Sequence, residues 1–261
     1  MPFLDRDGCT LYYEMSPGPS RPVVLIHGWC CDHSYLAPQA SHFAGRGHLV
    51  VSLDLRGHGR SGRPHQAYPI GAFADDVAWL CGALNLSKPI LIGHSMGGIV
   101  AFDIAARYPD LPGAIAMLDS AIVLPEATRA AIPAFLERLR GPDYVATLRA
   151  YVKERLLLPT DDAVRSAAIL EGMGEATQFV AAASFEGLGD YDSSAARGRV
   201  KVPALYIAAD EPVPRCDMEG LFDLLPGLRY GQTVGSGHFC QLEVPDQVNA
   251  MIDRFVTLAR L

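Results

Sequence analysis

Short, unbroken apolar runs alternate with longer amphipathic stretches along most of this chain. Residues 23–26, 49–53, 89–92 and 114–118 are continuous and rich in Val, Ile and Leu, the pattern of strands buried on both faces of a parallel sheet. Between them lie helix-length segments at 70–84 and 97–107, the second closed by Tyr108-Pro109-Asp110. Strands alternating with helices imply βαβ units and an α/β fold with a mostly parallel, doubly wound sheet. Two more strands are expected at 204–208, after Pro203, and at 228–234, with a last helix over 245–261. The middle of the chain breaks the alternation. Residues 126–140, 143–158, 160–173 and 175–188 read as helices only, rich in Ala, Leu, Arg and Glu. They predict an inserted helical cap at 122–187, dividing a core of 1–121 and 188–261. Its expected place is the C-terminal edge of the sheet, where open α/β folds bind ligands; packing on one sheet face is the alternative.

Composition narrows the function classes. With 261 residues, 49% hydrophobic and 20% charged, and a mean hydropathy of +0.14, the chain is expected to fold around one core, burying about 73% of its unfolded surface. The 25 Gly and 19 Pro form no repeat and suit many tight turns. A net charge of -7 and a pI near 5.6 argue against nucleic-acid or anionic-membrane surfaces, which need clustered Lys and Arg. A small-molecule site is expected instead. Asp5 and Asp7 stand where a signal peptide would carry basic residues, and each apolar stretch stops well short of the roughly 18 residues of a membrane span. Six cysteines without a C-x-x-C pair suggest reduced thiols in a soluble cytoplasmic protein. Homodimerisation is compatible with these features.

Gly93-His94-Ser95-Met96-Gly97 matches G-x-S-x-G directly after one expected strand and before an expected helix. In that context the motif marks a sharp turn that lifts a serine above the sheet edge. Without chemistry, Ser95 would be a serine in a glycine-rich turn. A hydroxyl is a weak nucleophile at neutral pH and needs a base, for which histidine is best matched. Of eight histidines, His238 is the candidate. It lies in Gly235-Ser236-Gly237-His238-Phe239 after the last expected strand, which fits the order serine, acid, histidine. His33, His42, His48 and His65 read as surface or loop residues, His58 as a turn residue, and His94 as fixed by packing inside the turn. Two backbone N–H groups are expected to meet an oxyanion, those of Met96 and of Trp29 after His27-Gly28. No H-E-x-x-H, clustered Cys/His set or phosphate-binding glycine motif occurs in the chain, so neither a metal nor a cofactor is expected.

His27-Gly28-Trp29, Asp54-Leu55-Arg56-Gly57-His58-Gly59-Arg60-Ser61, the serine motif with Gly98, and Gly237-His238 together resemble the alpha/beta hydrolase superfamily. The resemblance implies a Ser-His-acid triad without a metal, and cleavage of an ester, lactone, amide or activated C–C bond. Most members place the acid in G-x-x-D after the strand that follows the cap. Here that stretch is Ala208-Ala209-Asp210-Glu211-Pro212, without the glycine. Some relatives, including zearalenone lactonase and the cofactor-free quinaldine dioxygenases, carry the acid after the strand preceding the cap, where this chain has Asp119. Asp210 and Glu211 are favoured as a pair, Asp210 first, with Asp119 next. Asp54, Arg56 and His27 are read as loop ties. The leading expectation is a serine esterase or lactonase acting on a small, fairly apolar molecule. Gly28-Trp29-Cys30-Cys31-Asp32-His33 is also similar to a loop of the quinaldine dioxygenases, with Cys31 where those enzymes have histidine. Oxygenolytic ring opening, C–C hydrolysis, and a receptor-like protein that binds without turnover are the alternatives.

Overall fold

Asp7 and Gly8 turn the chain back on itself at its start. Both have left-handed backbone, with φ of 48° and 76°, as a two-residue hairpin turn requires. They join β1 (Phe3–Arg6) to β2 (Cys9–Ser16) in antiparallel register. There follow β3 (Ser20–Ile26), α1 (Ala37–Gly45), β4 (His48–Leu53), α2 (Ile70–Ala83), β5 (Ile90–His94), α3 (Met96–Arg107) and β6 (Ala114–Leu118). Four helices come next without an intervening strand: α4 (Glu126–Leu139), α5 (Tyr144–Arg155), α6 (Ala163–Gly174) and α7 (Gln178–Gly189). The chain ends with β7 (Ala204–Ala208), α8 (Met218–Leu224), β8 (Arg229–Gln232), α9 (Cys240–Glu243) and α10 (Pro245–Leu258). The structure, a computed structural model, describes residues 2–260. Met1 and Leu261, which the expected boundaries include, lie outside the described residues.

The eight strands form one sheet in the order β1-β2-β4-β3-β5-β6-β7-β8. β1 and β2 are antiparallel to their neighbours, and β3 to β8 pair in parallel. The α/β fold expected from the apolar pattern is thus the fold the chain adopts. Each continuous apolar run is split by the pleat. Val24 and Ile26 face one side with Leu91 and Met117, against Phe73 and Val77 of α2 and Phe102 of α3. Val23 and Leu25 face the other with Ile92 and Leu118, covered by Phe43 of α1 and by Val248, Ile252 and Phe255 of α10. Helices on both faces are what allow the strands to be apolar throughout.

The hairpin β1–β2, α1, α8 and the short α9 are additions to the sequence expectation. Helices α4 to α7 follow the expected segments; α7 begins at Gln178 rather than 175 and reaches Gly189, one residue past the expected helix end and two past the expected cap boundary. Ile132, Tyr151, Met173, Phe185 and Leu188 from these four helices and the end of α7 line a cavity of about 460 Å³ that also reaches Ser95 and His238. Among the described residues, no helix is long and apolar enough to cross a membrane.

Candidate active site

Ser95 links β5 to α3 with φ 54° and ψ -120°. A non-glycine residue held in that region costs on the order of 1–3 kcal/mol, so the surroundings must impose it. The Ser95 N–H donates to the Leu118 carbonyl at 2.9 Å. A Cβ at Gly97 would strike the Ile26 carbonyl, and one at Gly93 would strike the Gly97 carbonyl. The spacing of G-x-S-x-G is therefore steric: the turn is tight enough that backbone occupies the space of both side chains. Left-handed backbone recurs at Cys30 (φ 55°) and Asp119 (φ 44°), both in segments leaving the C-terminal ends of strands around Ser95.

His238 is buried in the loop after β8. Its Nδ1–H donates to Asp119 Oδ2 at 2.6 Å. Asp119 follows β6 directly; its Oδ1 accepts the Ala209 N–H at 3.1 Å, and its own N–H donates to the Ile207 carbonyl at 2.8 Å. Burial pushes the His238 imidazole down to about 4, the Arg215 guanidinium pushes the same way, and Asp119 opposes both. Burial alone would raise the Asp119 carboxyl, but the His238 hydrogen bond and the charges of His238 and Arg215 hold it below the usual carboxylate range. At neutral pH the pair is thus a carboxylate and a neutral imidazole. The proton sits on Nδ1 and Nε2 is left with its lone pair.

The geometry reverses the order of preference among the acids. Asp210 Oδ2 accepts the Gly235 N–H at 2.9 Å, and its N–H donates to the Ser236 carbonyl at 2.9 Å. Asp210 is exposed and fastens the outside of the His238 loop. Glu211 Oε1 accepts from Arg215 Nη2 at 2.6 Å. Beyond Ala208 the chain is bound to the loop at 235–236, which takes Asp210 to solvent, whereas Asp119 is fixed by backbone bonds from β7 and its flank.

Trp29 and Met96, the residues whose backbone N–H groups are the expected donors, border the same cavity. Met96 is the first residue of α3, where helix N–H groups and the macrodipole favour negative charge. Gly28 brings the other loop close, since a Cβ there would lie 3.1 Å from Ser95 Cβ. The Trp29 indole Nε1–H donates to the Ala181 carbonyl of α7 at 2.9 Å. Its ring meets Phe185, Tyr151 and Phe135 edgewise, at centroid distances of 4.9, 5.8 and 6.3 Å.

Several neighbours fix the loops. His94 does more than pack inside the turn: its Nε2–H donates to the His238 carbonyl at 2.9 Å. His27 Nε2 accepts the Leu55 N–H at 3.0 Å, and its Nδ1–H donates to the Gly28 carbonyl at 2.8 Å. Asp54 accepts the His33 and Arg60 N–H groups at 2.8 and 2.7 Å, and Arg56 pairs with Asp76. Arg215, which the sequence reading does not single out, contacts Asp119 itself; a lone arginine after Pro212-Val213-Pro214 carries no local signal for that role.

A family model described as alpha/beta hydrolase fold matches residues 21–245. The AB hydrolase superfamily protein YisY of Bacillus subtilis is 29% identical over 272 aligned residues, covering 94% of this chain and 95% of that protein. The bifunctional esterase/perhydrolase DCH of Acinetobacter calcoaceticus is 35% identical over 118 residues, 45% of this chain and 43% of that protein. Among solved structures, the enol-lactonase of Burkholderia xenovorans superposes with a TM-score of 0.88 at 24% identity, covering 98% of this chain and 100% of that one.

Proposed function

The chain belongs to the alpha/beta hydrolase family, and from that premise we propose that it is a serine hydrolase cleaving a carboxylic ester or lactone of a small, largely apolar substrate through an acyl-enzyme. The observation that carries this reading is the 2.6 Å bond from His238 Nδ1–H to Asp119, with Ser95 and His238 bordering one cavity. Ser95 Oγ attacks the carbonyl carbon as His238 Nε2 takes its proton. The Trp29 and Met96 N–H groups hold the oxyanion. His238 then returns the proton to the leaving oxygen, which stays tethered as a hydroxyl if the substrate is a lactone. Water, activated by the same imidazole, releases the acid. Asp119 keeps the tautomer and stabilises the transient imidazolium. Leu124, Leu157, Leu158 and Phe185 along the cavity support an apolar acyl or ring moiety. The names of the esterase/perhydrolase and the enol-lactonase fit the same bond type.

The test is hydrolysis of p-nitrophenyl esters of graded acyl length together with simple lactones. Ser95→Ala is expected to lose nearly all turnover while keeping the wild-type circular dichroism and melting temperature. Retained turnover overturns the assignment. A second reading, cofactor-free oxygenolytic ring opening, is favoured by the acid following β6 and by the Trp29-to-His33 loop. Oxygen uptake with a 3-hydroxy-4-quinolone would establish it, and silence across such substrates removes it.

A further inference from the structure

Arg215, in the loop between β7 and α8, turns its guanidinium inward, leaving 17% of the side chain exposed. Its Nε–H donates at 2.9 Å to Asp119 Oδ2, the same oxygen that receives His238 Nδ1–H. Its Nη2 donates to Glu211 Oε1 at 2.6 Å and to the Arg155 carbonyl at 2.7 Å. Hydrolysis by a Ser-His-acid triad requires no such cation. Burying a charge costs several kcal/mol unless it is well paired, and one partner here is the carboxylate that serves the base.

We propose that Arg215 is a positioning residue for the triad: by sharing Asp119 Oδ2 with His238 it fixes the carboxylate and withholds part of its negative charge from the imidazole. This rests on the hydrolase reading above for its link to turnover, but its effect on His238 can be measured separately. The charged or titratable groups around His238 are Asp119 beyond β6, Arg215 and Glu211 beyond β7, His94 of β5, and Asp161 and Glu243 beside Gly237. Burial pushes Glu211 up to about 6 and Glu243 up to about 7, and neither is among the groups that shift His238. Burial holds His94 neutral, well below the usual histidine range. It also keeps Tyr151, Tyr206 and Cys240 protonated. Burial is the largest cause of the low imidazole value; of the side chains, Arg215 lowers it further and Asp119 raises it. A cation disfavours a protonated imidazole, so removing it raises the imidazole's proton affinity and moves the acid limb of activity to higher pH.

The experiment follows His238 by NMR of labelled imidazole, assigned with His238→Gln, alongside the pH profile of kcat/KM for a p-nitrophenyl ester. In Arg215→Met, both midpoints are expected to rise by about one pH unit or more, a tenfold change in proton affinity. Arg215→Lys keeps the charge and is expected to hold the midpoint near that of the wild type, with a lower kcat because the Nε contact is lost. An unmoved midpoint in Arg215→Met, or an equal rise in Arg215→Lys, overturns the proposal. If Arg215→Met does not fold, the double variant Arg215→Met/Glu211→Gln removes a buried carboxyl together with its cation and carries the same expectation. A moved NMR midpoint in a protein that cleaves no ester refutes the proposed function and leaves the Arg215 effect standing. Ser95-dependent cleavage with an unmoved midpoint does the opposite.

Discussion

At the scale of single residues, the acid is what distinguishes this site. Asp119 is the carboxylate on His238, with its backbone at φ 44° and bonds from the Ala209 N–H and Arg215 arriving from beyond β7. Asp119→Asn keeps the shape but offers a donor where His238 needs an acceptor, which favours the wrong imidazole tautomer. It is expected to reduce kcat on the best ester by about 10⁴, as the equivalent change does in a serine protease. Asp210→Asn should leave kcat within about tenfold of the wild type, since an amide oxygen can still accept the Gly235 N–H. Equal losses in both variants would refute the geometric choice. Ser95 and His238 are legible in the sequence as candidates because each lies among adjacent glycines. Asp119 is not, because its orientation depends on how β6 and β7 lie together, 90 residues apart along the chain at the Ala209 contact. Arg215 is less legible still, being one arginine among 22 basic side chains.

Among elements, continuous apolar runs are the most readable feature, because a parallel strand covered on both faces tolerates no polar alternation. The inserted helices are readable from their composition and lack of strand signals. The hairpin β1–β2 had a usable signal in Asp7-Gly8 between two short runs, although edge strands need few apolar residues and so leave a weak pattern. Glycines separate by what surrounds them. Gly97→Ala would drive a methyl group into the Ile26 and His27 carbonyls and is expected to cost about 2 kcal/mol or more in urea unfolding, along with activity. Gly82 of α2 is exposed, and a Cβ there meets nothing within 4 Å. Gly82→Ala should instead stabilise by about 0.5 kcal/mol or somewhat more, with unchanged kinetics. An unchanged stability would mean that α2 frays at that end, and a destabilised Gly82→Ala would refute the expectation.

For the molecule as a whole, the loops at the sheet edge carry Ser95, Asp119 and His238, and the inserted helices line the cavity beside them. Phe185 of α7 is 6% exposed and borders the cavity. Phe185→Ala is expected to lower stability by about 3 kcal/mol and to shift ester preference toward longer acyl chains. A profile of chain lengths identical to the wild type would show that the acyl group lies elsewhere. Trp29 joins the two halves, bordering the cavity together with Ser95 and bonding α7 through its indole. The chain contains only two tryptophans, and the other, Trp79, lies on α2. Trp79→Phe therefore leaves one intrinsic tryptophan fluorophore, at the junction of the loop after β3 and the inserted helices. Its emission spectrum reports, without any attached dye, whether the walls stay docked while the site fills and empties.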